Sequence, residues 1–256
     1  MFLQTPARHR AERIKQEPKR RSLTVEGVSR LTPNMMRVEF TSPELGDFVS
    51  LSPDDHIKLF VPDRDSAGGL AMRDYTPRAF DAAGNRLTID FALHDAGPAT
   101  AWALNARPGE TLQIGGPRGS TVMPDDFDFY LLAGDETALP SIGRRLESLR
   151  PGVGVTSAVV VDGPEEIQHL ETAADWRPIW IFRSGEHAYD ATLLRRALAN
   201  WRTPAGDGYV WIAAEARTAR VLRNFMLEER GCPKAWLKAA GYWVRGEAGA
   251  TEKFAG

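Results

Sequence analysis

Cysteine is nearly absent from this chain: Cys232 stands alone among 256 residues. One thiol cannot close an internal disulfide or anchor a Cys-based metal centre. Histidine is scarce too. His9, His56, His94, His169 and His187 are scattered without ligand spacing, so no built-in metal site is expected. No apolar run reaches the length of a membrane span. The opening residues, MFLQTPARHRAERIKQEPKRRS, hold no hydrophobic signal core, which places the protein in the cytoplasm. The dinucleotide fingerprint G-x-G-x-x-G is missing as well. With no side chain able to carry electrons, any redox chemistry must come from a bound organic cofactor.

What is present fits two globular domains. Apolar residues make up 43% and charged residues 26%, enough for full cores. A net charge of −2 is not that of a general polyanion binder. Basic residues crowd only the start: Arg8, Arg10, Arg13, Lys15, Lys19, Arg20 and Arg21. That stretch has no interleaved aromatics and no nucleic-acid module. Residues 1–20 therefore read as a solvated, flexible segment, and no nucleic-acid partner is expected.

The rhythm changes halfway. Leu23 to Val28, Met35 to Thr41, His56 to Val61, Tyr75 to Phe80, Leu87 to Leu93 and Thr111 to Ile114 are short β-rich stretches between Gly and Pro turns. They predict a small barrel or sandwich, interrupted by one helix over Pro98 to Ala106. After the polar stretch Met123 to Asp128, apolar runs alternate with helical spacing. Phe129 to Ala133, Val153 to Val161, Trp180 to Phe182, Tyr209 to Ala213 and Trp236 to Ala239 predict strands. Ala138 to Leu149, Ala191 to Trp201 and Arg217 to Glu229 predict helices. Strand–helix alternation implies a doubly wound, Rossmann-like parallel sheet. A β-barrel followed by such a domain is the layout of ferredoxin-reductase-type flavoenzymes, an analogy of fold alone.

Six motifs carry candidate chemistry, and each also has a plain structural reading. In Arg73-Asp74-Tyr75-Thr76-Pro77-Arg78, an arginine suits a flavin phosphate, a tyrosine suits the flat ring, and a small hydroxyl suits its polar edge. The plain reading is a strand with an exposed arginine. In His94-Asp95-Ala96-Gly97-Pro98-Ala99-Thr100-Ala101-Trp102, a strand ends and a helix begins, so backbone N–H groups at the helix start can hold a diphosphate. Here the alternative is a turn with Trp102 in the core. Gly115-Gly116-Pro117-Arg118-Gly119-Ser120 is a tight loop, meaningful only in company. In Leu131-Leu132-Ala133-Gly134-Asp135-Glu136-Thr137-Ala138-Leu139-Pro140, the strand runs into a helix at the first crossover, with Thr137 as the expected N-cap. Its two acids would repel a pyrophosphate, so the nicotinamide end of a nucleotide is the better tenant. Trp211-Ile212-Ala213-Ala214-Glu215 and Gly241-Tyr242-Trp243-Val244-Arg245-Gly246 end the series, Glu215 lying at a strand's C-terminal end, where ligands bind.

In this order, from Arg73 to Gly246, the set resembles the siderophore-interacting protein family of ferric-siderophore reductases. The resemblance implies a Greek-key, FAD-binding barrel over 21–124 and an NAD(P)H-binding α/β domain over 125–256. It implies that NAD(P)H reduces FAD, which passes single electrons to iron(III) in a ferric siderophore. It assigns Arg73, Asp74, Tyr75, Thr76, His94, Gly97, Pro98, Ala99, Thr100 and Trp102 to FAD. It places Asp135, Thr137 and Ala138 near nicotinamide and flavin, with Glu215 and Trp243 also in the cofactor cleft. Lys58, Arg118 and Arg245 match the family's basic pocket for the anionic chelate, although Val244 replaces a basic residue that usually follows the tryptophan. A reductase serving a protein acceptor and a non-catalytic siderophore-binding module stay open as alternatives. Arg183 and Arg217 are candidate partners of an NADPH 2′-phosphate, and nothing chooses between NADH and NADPH. No residue demands more than a monomer.

Overall fold

Segments with alternating apolar residues become antiparallel strands here, and segments apolar throughout become the middle of a parallel sheet. The computed structural model describes residues 8–63, 65–66, 68–93, 97–183 and 191–254. The first half contains strands β1 (Glu12–Lys15), β2 (Arg20–Thr32), β3 (Met35–Thr41), β4 (Ile57–Pro62), β5 (Leu70–Tyr75), β6 (Pro77–Asp81) and β7 (Arg86–Ala92). Helix α1 (Pro98–Asn105) and strands β8 (Thr111–Gly115) and β9 (Gly119–Val122) complete it. The second half runs β10 (Phe129–Asp135), α2 (Leu139–Ser148), β11 (Gly154–Val161), β12 (Asp175–Phe182), α3 (Ala191–Asn200), β13 (Gly208–Glu215), α4 (Ala216–Asn224), β14 (Leu237–Trp243) and β15 (Glu252–Lys253). No helix among the described residues is long and apolar enough to cross a membrane.

Seven strands form one antiparallel sheet in the order β5-β4-β8-β2-β3-β7-β6. Its two end strands are β5 and β6, yet only Thr76 separates them in the chain. The sheet must therefore curl until its edges approach each other, which makes it barrel-like. Leu23, Val38, Phe40, Leu59, Ile89 and Phe91 are fully buried inside it. The second sheet has the order β12-β11-β10-β13-β14-β15, parallel except for β15. Every residue of its central strands β10 and β13 is buried, as expected of strands covered on both faces.

Four expectations change. The stretch Tyr75 to Phe80 is two strands broken at Thr76, because the chain turns there from one sheet edge to the other. The basic segment is not free from residue 8 onward: β1 pairs antiparallel with β9. His9 is buried between Asp126 (2.7 Å) and Asp207 (3.0 Å) and stacks on Phe127 with ring centroids 3.9 Å apart. The helix expected over Arg217 to Glu229 is α4 followed by a wider π-type turn over Phe225–Glu229. Strand β12 begins earlier than the apolar pattern suggests, and it tolerates Pro178 because it is an edge strand.

Polar contacts built on buried Arg78, Glu166 and Asp54 fasten the two halves. Arg78 on β6 donates twice to Glu147 on α2, at 2.9 and 2.5 Å. Its guanidinium lies flat on Gly143, where a Cβ would come within 3.0 Å of Nη2. Glu166 accepts from the Thr32 hydroxyl at 2.5 Å and from the Asn34 N–H at 2.9 Å. Asp54 accepts from the Trp211 indole at 3.2 Å and pairs with Lys238 at 2.5 Å. Burial alone would raise this carboxyl, but Lys238 and the Ser52 hydroxyl outweigh it and hold Asp54 at about 2.

Gly134 is where β10 passes closest to its neighbour: a Cβ there would stand 2.2 Å from the Ala213 carbonyl oxygen and 2.5 Å from the Ala138 Cβ. Backbone on one side and a buried methyl on the other leave no room. Gly134→Ala is expected to cost on the order of 3 kcal/mol, read as a lower urea midpoint with an unchanged slope.

Candidate functional site

The candidate site is built where the barrel seam meets the C-terminal ends of the parallel strands, the ends at which open α/β sheets bind ligands. On the barrel side, β5 carries Arg73, Asp74 and Tyr75 in alternation, and Thr76 follows at the seam. The Tyr75 ring packs 4.6 Å from Phe91, which is 5.7 Å from Trp102. Trp102 therefore faces the barrel core from α1, with Phe40 stacked on it at 6.0 Å. Arg73 donates to the Met72 carbonyl at 2.9 Å, and its Nη1 would meet a Cβ on Gly249 at 2.8 Å. The segment before β15 thus passes directly over this arginine. Asp74 is paired with Lys58 across the β4–β5 ladder at 2.8 Å.

Helix α1 begins with Gly97 as N-cap and Pro98 in the first turn, with no side-chain cap. Among the described residues nothing caps the N–H groups of Ala99 and Thr100, which stand at the positive end of the helix dipole. His94 lies outside the described residues.

On the α/β side, Asp135 ends β10 and organises its surroundings. Its Oδ1 accepts from the Thr137 N–H at 3.0 Å and the Thr137 hydroxyl at 2.5 Å. Its Oδ2 accepts from the Glu215 N–H at 3.0 Å and the Trp243 indole at 2.9 Å. Asp135, not Thr137, is thus the cap of the turn Glu136–Ala138. Ala138 has no exposed surface and belongs to the core, so it shapes the turn and offers no face to a nicotinamide. Glu215 is buried as the N-cap of α4, accepting from the Thr218 N–H at 3.0 Å, while the Arg245 N–H approaches its other oxygen at 3.5 Å. Both carboxylates are ordered by the protein itself and frame the cleft.

Glu136 forms a two-pronged ion pair with Arg183 at 2.7 and 2.9 Å. Arg183 is therefore already engaged, whereas Arg217 is exposed in the first turn of α4. Lys58 and the loop carrying Arg118 are neighbours, because Lys58 pairs with Gly115 between β4 and β8. Arg118 is exposed, and Arg245 is exposed two residues beyond Trp243 on the other domain.

Two residues of this junction escaped sequence reasoning. Ser141 on α2 bridges the Thr76 hydroxyl at 3.1 Å and the Tyr242 hydroxyl at 3.0 Å. Tyr242 lies inside the motif Gly241 to Gly246, and Ser141 directly follows Pro140, the last residue of the crossover motif. The available signal was a serine on the buried face of an amphipathic helix.

The barrel side presents a guanidinium, an aromatic ring, a hydroxyl and a helix start. That donor set fits a flavin dinucleotide: cation and N–H groups for its phosphates, ring and hydroxyl for its isoalloxazine.

Asp135 supplies a pH signature. Burial, then the neighbouring Glu136 charge, raise it against the pull of its donors, to about 6. A raised carboxyl stabilises the fold fully below the unfolded value of about 4, and that contribution is lost as pH rises through about 6. The loss amounts to about 2–3 kcal/mol. Asp135→Asn is expected to be less stable overall, since its amide nitrogen cannot accept. Its stability should also change less than the wild type between about pH 4 and about pH 6. Urea midpoints across that window check this.

Residues 127–246 match the siderophore-interacting protein family, and residues 24–70 and 66–121 match the siderophore-interacting FAD-binding domain. The chain is 32% identical over 254 residues to the NADPH-dependent ferric-chelate reductase of Escherichia coli strain K12, covering 91% of this chain and 96% of that protein. A siderophore utilization protein from T. fusca superposes with a TM-score of 0.87 at 34% identity, covering 94% of this chain and 98% of that one. The siderophore-interacting protein of Aeromonas hydrophila follows with a TM-score of 0.78 at 30% identity, covering 89% and 92%. With both halves matched and a relative spanned almost end to end, the chain belongs to the siderophore-interacting protein family.

Proposed function

We propose that this chain is a cytoplasmic, monomeric NAD(P)H-dependent reductase that uses FAD to reduce iron(III) in a ferric siderophore, so that iron(II) is released. The observation that carries this reading is that Thr76, which closes the run Arg73-Asp74-Tyr75-Thr76, is joined through Ser141 to Tyr242, the neighbour of the Trp243 whose indole bonds Asp135 at the end of β10. FAD, when bound, couples a two-electron nicotinamide donor to one-electron steps at iron. Arg73 and the N–H groups of Ala99 and Thr100 would hold its phosphates, with Gly97 and Pro98 shaping the helix start. Tyr75 would pack on the ring, and Thr76 would meet its polar edge. Glu136 is neutralised by Arg183, so Asp135 gives the crossover its negative character. That favours the cationic oxidised nicotinamide ring over a pyrophosphate.

No general acid or base is needed at the centre; the protein contributes position and field. Lys58, Arg118 and Arg245 supply positive charge from both domains, which raises the encounter rate of an anionic ferric chelate. Lys58 is partly neutralised by Asp74, so Arg118 carries more of that attraction.

The test begins with the visible spectrum of the purified protein. Anaerobic NADPH or NADH is expected to bleach a bound flavin, and a ferric siderophore to restore it while an iron(II) trap develops colour. Flavin that bleaches but ignores ferric chelates would assign another acceptor, such as a redox protein. A protein that takes up no FAD would leave a binding module.

A second expectation concerns affinity. Arg73→Ala removes one charge-assisted contact to a phosphate, so FAD dissociation should become about 10- to 100-fold more favourable. Fluorescence titration of the apoprotein measures it.

A further inference from the structure

Three hydroxyls from three different elements meet under the barrel seam. Thr76 Oγ1 lies 3.1 Å from Ser141 Oγ, and Ser141 Oγ lies 3.0 Å from the Tyr242 hydroxyl. Thr76 is 7% exposed and Ser141 2% exposed, so water does not satisfy these groups in place of one another. In both contacts either oxygen can be the donor. The chain of bonds therefore has two self-consistent directions.

We infer that Ser141 and Tyr242 are positioning residues that set the direction of the Thr76 hydroxyl toward the flavin, and reverse it when the flavin changes oxidation state. This rests on the reading that Thr76 meets the polar edge of the ring. An oxidised isoalloxazine offers a lone pair at N5 and needs a donor; a reduced one carries a hydrogen at N5 and needs an acceptor. A single buried hydroxyl could turn to suit either form. Turning would leave its other partner unsatisfied, at the cost of a lost buried hydrogen bond. The chain avoids that loss. In one direction Tyr242 donates to Ser141, Ser141 to Thr76, and Thr76 is free to donate outward. In the other, Thr76 donates to Ser141 and Ser141 to Tyr242, whose own O–H turns to the Thr76 oxygen it also contacts, leaving the second Thr76 lone pair facing outward. The Tyr242 hydroxyl is kept protonated because burial, with the charge of Asp54, pushes it upward. No proton leaves the chain in either direction, so it orients and does not relay.

The same contacts also tie the barrel to α2 and β14, so a loss of stability alone would not separate the two roles. The discriminating readout is the midpoint potential of bound flavin, taken in an anaerobic titration of the FAD-loaded protein against a reference dye. Tyr242→Phe keeps the ring and removes only the hydroxyl; Ser141→Ala removes the middle link. Each is expected to shift the ratio of reduced to oxidised flavin at a fixed solution potential by about three- to tenfold. The double variant should add little to the larger single effect, because both cut one chain. If Ser141→Ala fails to fold, Tyr242→Phe alone carries the test. The inference is overturned if Thr76→Val shifts the ratio while Tyr242→Phe and Ser141→Ala leave it at the wild-type value. If Thr76→Val also leaves it unmoved, Thr76 does not meet the flavin, and the reading beneath the inference falls with it.

Discussion

One residue, Thr76, joins the two strands at opposite ends of the same sheet, and the architecture depends on that constraint. A sheet with this connection cannot lie flat. Curling brings both edges to one place and creates a seam where backbone changes direction and small polar groups are exposed on the barrel's flank. Helix α2 covers the seam. It supplies Ser141 to Thr76, and the flat face of Gly143 and the carboxylate of Glu147 to Arg78. The barrel is closed, in effect, by the other domain.

The other domain is ordered from the same place. Strand β10 enters the junction as Asp135, whose two oxygens gather the Glu136–Ala138 turn, the end of β13 and the indole at the end of β14. Glu215 repeats the device one strand away, as the cap of α4. Two carboxylates that a motif search reads as ligands for a nucleotide therefore act first on the backbone. They fix the positions of three strand ends relative to one another, which is what a cofactor cleft between two domains requires.

Most of the elements were legible in the sequence because each half obeys one period. Alternation in Met35–Thr41 and uniform apolarity in Phe129–Asp135 correctly separate a half-exposed strand from a doubly covered one. What stayed hidden depends on partners far away in the chain. ERIK in β1 looks like a charged tail, and GSTV in β9 like the end of a loop; only their pairing across more than a hundred residues makes either a strand. His9 reads as one more residue of a basic arm until Asp126 and Asp207 close on it. The break at Thr76 is invisible to periodicity, since the chain is extended on both sides. The cap at Asp135 was missed by two positions, because Asp and Thr are both good caps and only the hydrogen bonds decide. The cofactor motifs were visible as a set, but their residues divide into those on the cleft, such as Arg73, and those buried beneath it, such as Ala138.

Electron transfer through a flavin sets a particular demand on a two-domain protein. Interdomain contacts within a chain usually permit relative motion unless the interface is large and well packed. Here the interface contains Met35 and Ala92 from the barrel within the apolar cluster of the α/β domain. It is also crossed by the pairs that the buried Arg78 and Asp54 make with half-buried partners, and by the Glu166 bonds to Thr32 and Asn34. Breaking such pairs exposes or strands charged groups, so sliding one domain over the other is costly even where the apolar surface alone would allow it. The distance between the barrel face and the strand ends is thereby a property of the fold. Arg118 and Arg245 stand exposed on different domains, above a geometry that these contacts hold in place.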